Sequence, residues 1–357
     1  MKKLRIAQVA PLWFPIPPLK YGGIERVVAL LADGFVERGH EVTLFAAPGS
    51  DTKAKLISVF NKPLIEGGIS WNNPVWNLRN LSVATEMANA GEFDIIHTHL
   101  DIWSVFFHNL SKVPVVHTMH NPLYRTNADA TKDDRLKLFT EEAHRINMAF
   151  ISESARSQAM VGFPRSRVVY NGIDLNDFKF GQGGEHFIWI ARVNKHKGIE
   201  NAILAAEKLG VRLTLAGRID PSQQDYFDKE IKPRLNDKIT FVGELSQDQL
   251  PEFYGSATAL LYPIEWEEPF GLVVAEAMAC GTPVIAYRRG SMPELIENGK
   301  TGFVIDSEID QLVEKMKMVG EMDRNYVRGH IERNFSKEKM VENYEKFYMD
   351  VLENIDA

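Results

Sequence analysis

Cysteine is nearly absent from this 357-residue chain, and Cys280, the single one, cannot form an intrachain disulfide. That favours a reducing compartment and excludes a zinc cluster built on cysteines. Long apolar runs are missing as well, so no stretch reads as a bilayer-spanning helix. The start, Met1 to Arg5 followed by Ile6 to Pro18, faintly mimics a signal peptide. Four prolines interrupt its apolar part and no small-residue cleavage site follows, so it reads as a first buried strand. The turn after that strand lacks the Gly-x-Gly-x-x-Gly fingerprint, which argues against a dinucleotide site there.

What is present is ordinary globular material: 45% apolar and 25% charged residues, at a length that suits two domains with full cores. The net charge of −7 is unevenly spread, +2 over residues 1–175 and −9 over residues 176–357. An acidic C-terminal half argues against nucleic acid as a partner, because gripping a phosphate backbone needs a basic face. The near-neutral N-terminal half allows at most peripheral contact with anionic lipid. The expected location is the cytoplasm, with docking at the inner face of the membrane as the outer limit.

Short runs rich in Val and Ile alternate with helical patterns. Candidate strands are Arg5–Ala10, Val42–Ala46, Asp94–Thr98, Val113–Thr118, Ala149–Ser152 and Val168–Tyr170, with a helix at Ile24–Arg38. A second set follows at Phe187–Ala191, Val211–Ala216, Ile239–Val242, Ala259–Tyr262, Val284–Ala286 and Phe303–Ile305. This order predicts α/β architecture with parallel sheets covered on both faces. A polar, glycine-containing stretch, Asp174 to Glu185, separates the two sets, so two doubly wound domains fit better than one barrel. Ligands of such sheets bind outside the carboxyl ends of the strands.

The most informative stretch runs from Glu267 through Pro269-Phe270-Gly271-Leu272, Glu276 and Cys280-Gly281-Thr282-Pro283 to Ala286. Pro269 disfavours helix at Glu268, Leu272 to Cys280 is helix-forming, Gly281 is a natural stop and Pro283 opens a strand. Glu268 is therefore expected before the helix and Glu276 near its start. Gly271 has no side chain, so backbone N–H groups at the helix start can meet an anion. The two carboxylates would more plausibly face neutral hydroxyls. A sugar joined to a phosphate satisfies both. A second signal is Ile188 to Gly198, where Arg192 ends a strand and Lys197 precedes a helix-opening glycine. Together they make a planar fork and a point charge suited to an anion.

The Glu-x7-Glu spacing, with Phe-Gly-Leu inside it and Cys-Gly-Thr-Pro-Val-Ile after it, resembles the signature of the GT4-type retaining nucleotide-sugar glycosyltransferases. The resemblance covers nearly the whole chain. It implies the GT-B fold, two Rossmann-like domains facing each other across a cleft. Residues 1–174 would be the acceptor-binding domain, joined by a C-terminal crossing helix at 337–355, and residues 184–335 the donor-binding domain. By the same resemblance Arg192 and Lys197 grip the donor diphosphate, Glu268 the sugar and Glu276 the ribose hydroxyls. Phe270, Gly271 and Leu272 line the donor, and backbone near Val242 and Gly243 meets the base. In Tyr21-Gly22-Gly23-Ile24-Glu25, Gly23 resembles the family's donor-phosphate loop, and the Gly pair otherwise reads as a simple turn.

Four histidines cluster at His97, His99, His117 and His120. His97 and His99 would share one strand face, a metal-like spacing, but no carboxylate or cysteine pattern completes a site. His120 ends a strand on the ligand side, where the family's matching histidine contacts the transferred sugar; His99 matches less sharply and is assigned to the acceptor. Asn171, in Asn171-Gly172-Ile173-Asp174, resembles the family's turn into the second domain and is a supporting donor-side residue.

The expected reaction is metal-independent transfer of a hexose, by default glucose, from a nucleoside diphospho-sugar, by default a UDP-sugar. The acceptor is a hydroxyl on a small molecule, glycan or lipid-linked species, and no cofactor is expected. No convincing Asp-x-Asp stands in ligand position. A nucleotide-sugar epimerase of the same fold and a non-catalytic nucleotide-sugar binding protein are the alternatives. A glycosidase, which also uses a carboxylate pair, would have no use for an anion clamp.

Overall fold

The computed structural model describes residues 2–20, 22–70, 73–123 and 134–353. Tyr21, part of the glycine turn singled out above, lies outside them. The chain forms two compact units, one of Met1–Gly172 with Lys337–Ala357, the other of Ile173–Ser336.

The first unit holds a seven-stranded sheet in the order β3-β2-β1-β4-β5-β6-β7. Its strands are β1 (Arg5–Val9), β2 (Glu41–Phe45), β3 (Lys55–Ile57), β4 (Ile95–Thr98), β5 (Val115–Met119), β6 (Asn147–Phe150) and β7 (Ser166–Val168), all pairing in parallel. The second unit holds a six-stranded parallel sheet, β10-β9-β8-β11-β12-β13. It is built from β8 (His186–Ile190), β9 (Arg212–Ala216), β10 (Ile239–Phe241), β11 (Ala259–Tyr262), β12 (Val284–Tyr287) and β13 (Gly302–Ile305). In each sheet the strand order reverses once, between β1 and β4 and between β8 and β11. Such a switch point separates two loops at the carboxyl edge and opens a crevice there.

The cores are continuous apolar runs of the kind doubly covered parallel sheets require. Trp189, Leu213, Leu215, Leu261 and Ile285 pack in the second unit; Ala7, Val9, Phe45, Leu81 and Ile96 pack in the first. The helix Lys337–Glu353 belongs to the first unit. Its Tyr348 stacks on Phe35 at 5.2 Å between ring centroids, and its buried Glu345 binds Arg38 at 2.8 Å and His40 at 3.0 Å.

Two strands differ from the sequence reading. The strand read at Ala149–Ser152 is β6, two residues earlier: Ser152 accepts from the Ala155 N–H at 2.9 Å and so caps the helix Glu153–Ser157 instead of extending the strand. Strand β3 had no periodic signal, being three residues at a sheet edge. The helix carrying Glu276 spans Leu272–Ala279 and starts where the sequence placed it; Glu276 is its fifth residue and is 2% exposed. The stretch from Asp174 to Glu185, read as separating the two strand sets, is tied into the second unit. Phe178 is buried, Arg328 donates to the Leu175 carbonyl at 3.0 Å, and Arg324 donates to the Gly181 carbonyl at 2.9 Å. Among the described residues no helix is long and apolar enough to cross a membrane.

Candidate active site

In the second unit, the loops after β8 and β11 are clasped together. Asn194 caps the short turn Lys195–Lys197 by accepting from the His196 N–H at 2.9 Å. Trp189, fully buried in β8, donates its Nε1–H to the Lys197 carbonyl at 3.0 Å. The Glu265 N–H reaches the His196 carbonyl at 2.9 Å. Gly198 closes the turn at φ 72°, and a Cβ there would stand 1.9 Å from the Pro263 carbonyl oxygen, so only glycine fits.

That clasp brings Lys197 and Glu268, 71 residues apart, into contact. The Lys197 Nζ donates to Glu268 Oε2 at 2.8 Å, with 15% and 12% of the two side chains exposed. The same oxygen accepts from Tyr262 Oη at 2.8 Å and Trp266 Nε1 at 3.1 Å. The ammonium also lies 4.3 Å from the Trp266 ring centroid, a cation–π contact. Burial first, then the neighbouring carboxylate, hold the Tyr262 phenol well above its ordinary pKa, so it remains a donor. Glu268 is thereby fixed as a hydrogen-bond acceptor from one side, and Lys197 is held in place by carboxylate and indole. Neither Tyr262 nor Trp266 stood out in the sequence: Tyr262 ends an apolar strand and reads first as core, and Trp266 stands between two glutamates with no motif around it.

Gly271 follows at φ 88° as N-cap of the helix Leu272–Ala279, with no side chain capping it. A Cβ on it would meet Met292 Cε at 2.7 Å and Glu268 Cγ at 3.5 Å, which places Glu268 beside the helix start. Leu272 is partly exposed at that end. The first-turn N–H groups of a helix have no intrahelical partner and carry the positive end of its dipole. Phe270 is a core residue, 2% exposed and edge-on to Phe335, so its neighbours' backbone, not its ring, faces the helix start. Glu276 accepts from Tyr254 Oη at 2.8 Å.

Arg192 lies just beyond β8 and is half-exposed. Its NH1 sits 3.5 Å from Asp220, which also binds Arg218 at 3.0 Å. Val242 is exposed after β10, and the Gly243 carbonyl accepts from the Gly217 N–H at 2.8 Å.

The first unit offers a different environment. Gly22 caps and Gly23 opens the helix Gly23–Glu37. Glu25, two residues further on, is buried, and loss of water raises its carboxyl pKa to about 7. Its sequence context, beside Arg26 in a helix, gave no hint of burial. Asn171 is buried, and its Oδ1 has no partner among the described residues.

His120 ends β5, and its Nε2 lies 2.9 Å from His99 Nδ1. His99 is 2% exposed and its other nitrogen bonds Gln8 at 3.0 Å, so both its ring nitrogens are occupied from within. The assignment of His99 to an acceptor is corrected accordingly: it backs His120. His97 shares the strand face, as alternation requires, 4.1 Å from His99 between ring centroids. Among the described residues no group of three or more metal-binding side chains assembles. His117 points to the opposite face and meets Ser104 at 3.0 Å. Burial lowers all four imidazole pKa values, His120 to about 4 and His117 to about 3, so the cluster is neutral at physiological pH.

Two all-parallel units with polar clusters at their carboxyl edges define the architecture of the GT-B glycosyltransferases. Residues 21–177 match the family described as Glycosyltransferase Family 4, and residues 174–334 match Glycosyl transferases group 1. The chain belongs to the GT4-type glycosyltransferases and is an enzyme of that class. It is 25% identical to the N-acetyl-alpha-D-glucosaminyl L-malate synthase of Bacillus anthracis, over 93% of this chain and 94% of that one. Its fold is similar to that of the sucrose-phosphate synthase of Thermosynechococcus elongatus, with a TM-score of 0.81, 20% identity and coverage of 99% of this chain and 100% of the other. Anabaena HepE, solved in complex with UDP and glucose, is similar at a TM-score of 0.74 and 19% identity over 97% and 99% of the two chains.

Proposed function

We propose that this enzyme is a retaining, metal-independent hexosyltransferase using a nucleoside diphospho-sugar, with UDP-glucose as the first candidate donor. The observation that carries the reading is Lys197 held against Glu268 and Trp266 beside the uncapped start of the helix Leu272–Ala279. A fixed ammonium and a row of backbone donors at one place match the needs of a departing diphosphate. Carboxylate oxygens next to them match sugar hydroxyls.

In the proposed reaction the bond from the anomeric carbon to the β-phosphate oxygen breaks, and its electron pair leaves with the diphosphate. Lys197, Arg192, the Gly271 and Leu272 N–H groups and Gly23 oppose that charge. Because these donors are positioned before reaction, they stabilise the leaving group without reorganising. Glu268 holds the sugar and His120 contacts it as a neutral imidazole; Glu276 takes the ribose, and Val242 and Gly243 the base. Asn171 supports the donor side. The acceptor hydroxyl attacks on the leaving-group face and passes its proton to the departing phosphate oxygen, which keeps the anomeric configuration. The second unit is assigned to the donor and the first to the acceptor, a small molecule, glycan or lipid-linked hydroxyl. HepE's complex with UDP and glucose supports the choice of donor.

The decisive experiment incubates the protein with UDP-glucose, GDP-mannose and ADP-glucose against a panel of acceptor alcohols. Release of UDP dependent on acceptor, with an α-linked product, is expected. Conversion of the sugar without acceptor would indicate an epimerase, and binding without turnover a non-catalytic module.

A further inference from the structure

Behind His120 a chain of hydrogen bonds crosses the first unit from the sheet edge to the C-terminal helix. His120 Nε2 meets His99 Nδ1 at 2.9 Å, His99 Nε2 meets Gln8 Oε1 at 3.0 Å, and Gln8 Nε2 meets Tyr348 Oη at 2.9 Å. Tyr348 Oη then meets His97 Nδ1 at 2.6 Å, and His97 Nε2 meets Thr118 Oγ1 at 2.7 Å, which in turn meets Tyr344 Oη at 2.9 Å. Every member except His120 is buried. A neutral imidazole has one donor and one acceptor nitrogen, so a chain of this kind admits two proton orders, one the reverse of the other.

The two orders are not equivalent. In the first, Tyr348 donates to His97 Nδ1 and accepts from Gln8. One amide hydrogen of Gln8 then goes to Tyr348 Oη, and the other shares the single lone pair of His97 Nδ1, at 3.3 Å, with the Tyr348 hydroxyl. Gln8 Oε1 faces His99 and must accept, so His99 carries its proton on Nε2 and accepts at Nδ1. His120 must therefore donate from Nε2, leaving Nδ1 as its lone-pair nitrogen. In the reverse order the Gln8 amide nitrogen would face His99 alone, and its second hydrogen would have no acceptor. Burying an unmatched donor disfavours that order.

The geometry points to Gln8, His99 and Tyr348 as positioning residues that lock His120 in its Nε2–H tautomer and present Nδ1 as an acceptor for a ligand hydroxyl. Tyr348 acts through two intervening side chains from the C-terminal helix. The effect on transfer rests on the proposed contact between His120 and the sugar; the proton order does not.

Nitrogen NMR of protein labelled in its histidine rings tests the order directly in the free enzyme. His120, assigned by its loss in His120→Ala, should show a protonated Nε2 and an unprotonated Nδ1. A protonated Nδ1, or an equal mixture, would overturn the inference. Tyr348→Phe keeps the ring on Phe35 and removes only the hydroxyl, so both orders become accessible and a mixture should appear; an unchanged signal would also overturn it. Release of UDP from UDP-glucose should fall at least about threefold in Tyr348→Phe, but not when the change is made in a His120→Ala background. A loss that persists there would mean a merely structural tyrosine. A silent His120→Ala with the tautomer pattern intact would remove the sugar contact and leave the proton order standing. If Tyr348→Phe does not fold, the wild-type spectrum still decides.

Discussion

The carboxyl edges of the two sheets handle polarity in opposite ways. In the second unit, charges are kept and matched: Lys197 against Glu268, Arg192 and Arg218 against Asp220. In the first, charge is suppressed, with four imidazoles lowered and Glu25 raised by burial. A partly buried ion pair retains its field because each partner offsets the other's lost hydration. An imidazole row bonded only to neutral groups has no such compensation and discards its protons instead. The difference separates a place suited to an anion from one suited to hydroxyls.

Removing the ammonium breaks the charged edge most severely. Lys197→Ala should lower kcat/KM for UDP release at least about 100-fold, the usual size for losing a donor that acts on developing charge. An unchanged rate would end its role. At the neutral edge, Glu25→Gln should act on stability. The raised carboxyl contributes stability that is fully present below the unfolded pKa near 4.5 and is lost as pH rises to about 7. The variant should therefore match wild type near pH 4.5 and exceed it by up to about 3 kcal/mol at pH 8, read by denaturant melts at both values.

His120→Gln tests the opposite sign. A depressed imidazole contributes stability that is present above the unfolded pKa of 6.5 and lost as pH falls towards about 4. Wild type should lose melting temperature across that window, and the variant should lose less, by an amount equivalent to about 1–2 kcal/mol. Parallel curves would show that His120 is not shielded. The mildest change is Trp266→Phe, which retains a ring for Lys197 but removes the indole donor to Glu268. A threefold to tenfold fall in kcat/KM is expected, about 1 kcal/mol, the usual net size of one hydrogen bond. A loss as large as that of Lys197→Ala would mean that the indole, not the ammonium, organises the edge.

Legibility followed sequence distance. The two sheets were readable because apolar runs and their punctuation by proline and glycine are local, and parallel strands buried on both faces repeat that pattern plainly. Ser152 misled because strand propensity continues through Ile151, while the cap it forms depends on the residues after it. The helix start at Leu272 was legible from Pro269 and Gly271, whereas the burial of Glu276 against Tyr254 was not, since that partner lies 22 residues earlier. His99 was singled out for the right strand and the wrong neighbour, since what occupies its second nitrogen is a glutamine 91 residues away.

By itself the sequence determined the doubly wound order, the glycine at which the helix Leu272–Ala279 begins, and the acidic signature around it, all of which follow from backbone preferences within a few residues. Tertiary structure alone decided which side chains complete the two edges. Trp266 and Tyr262 converge on one carboxylate oxygen, and Tyr348 reaches Gln8 across 340 residues. Hydrogen-bond partners are set by distance and direction in space, and only packing against the sheets brings such atoms within hydrogen-bonding reach of one another.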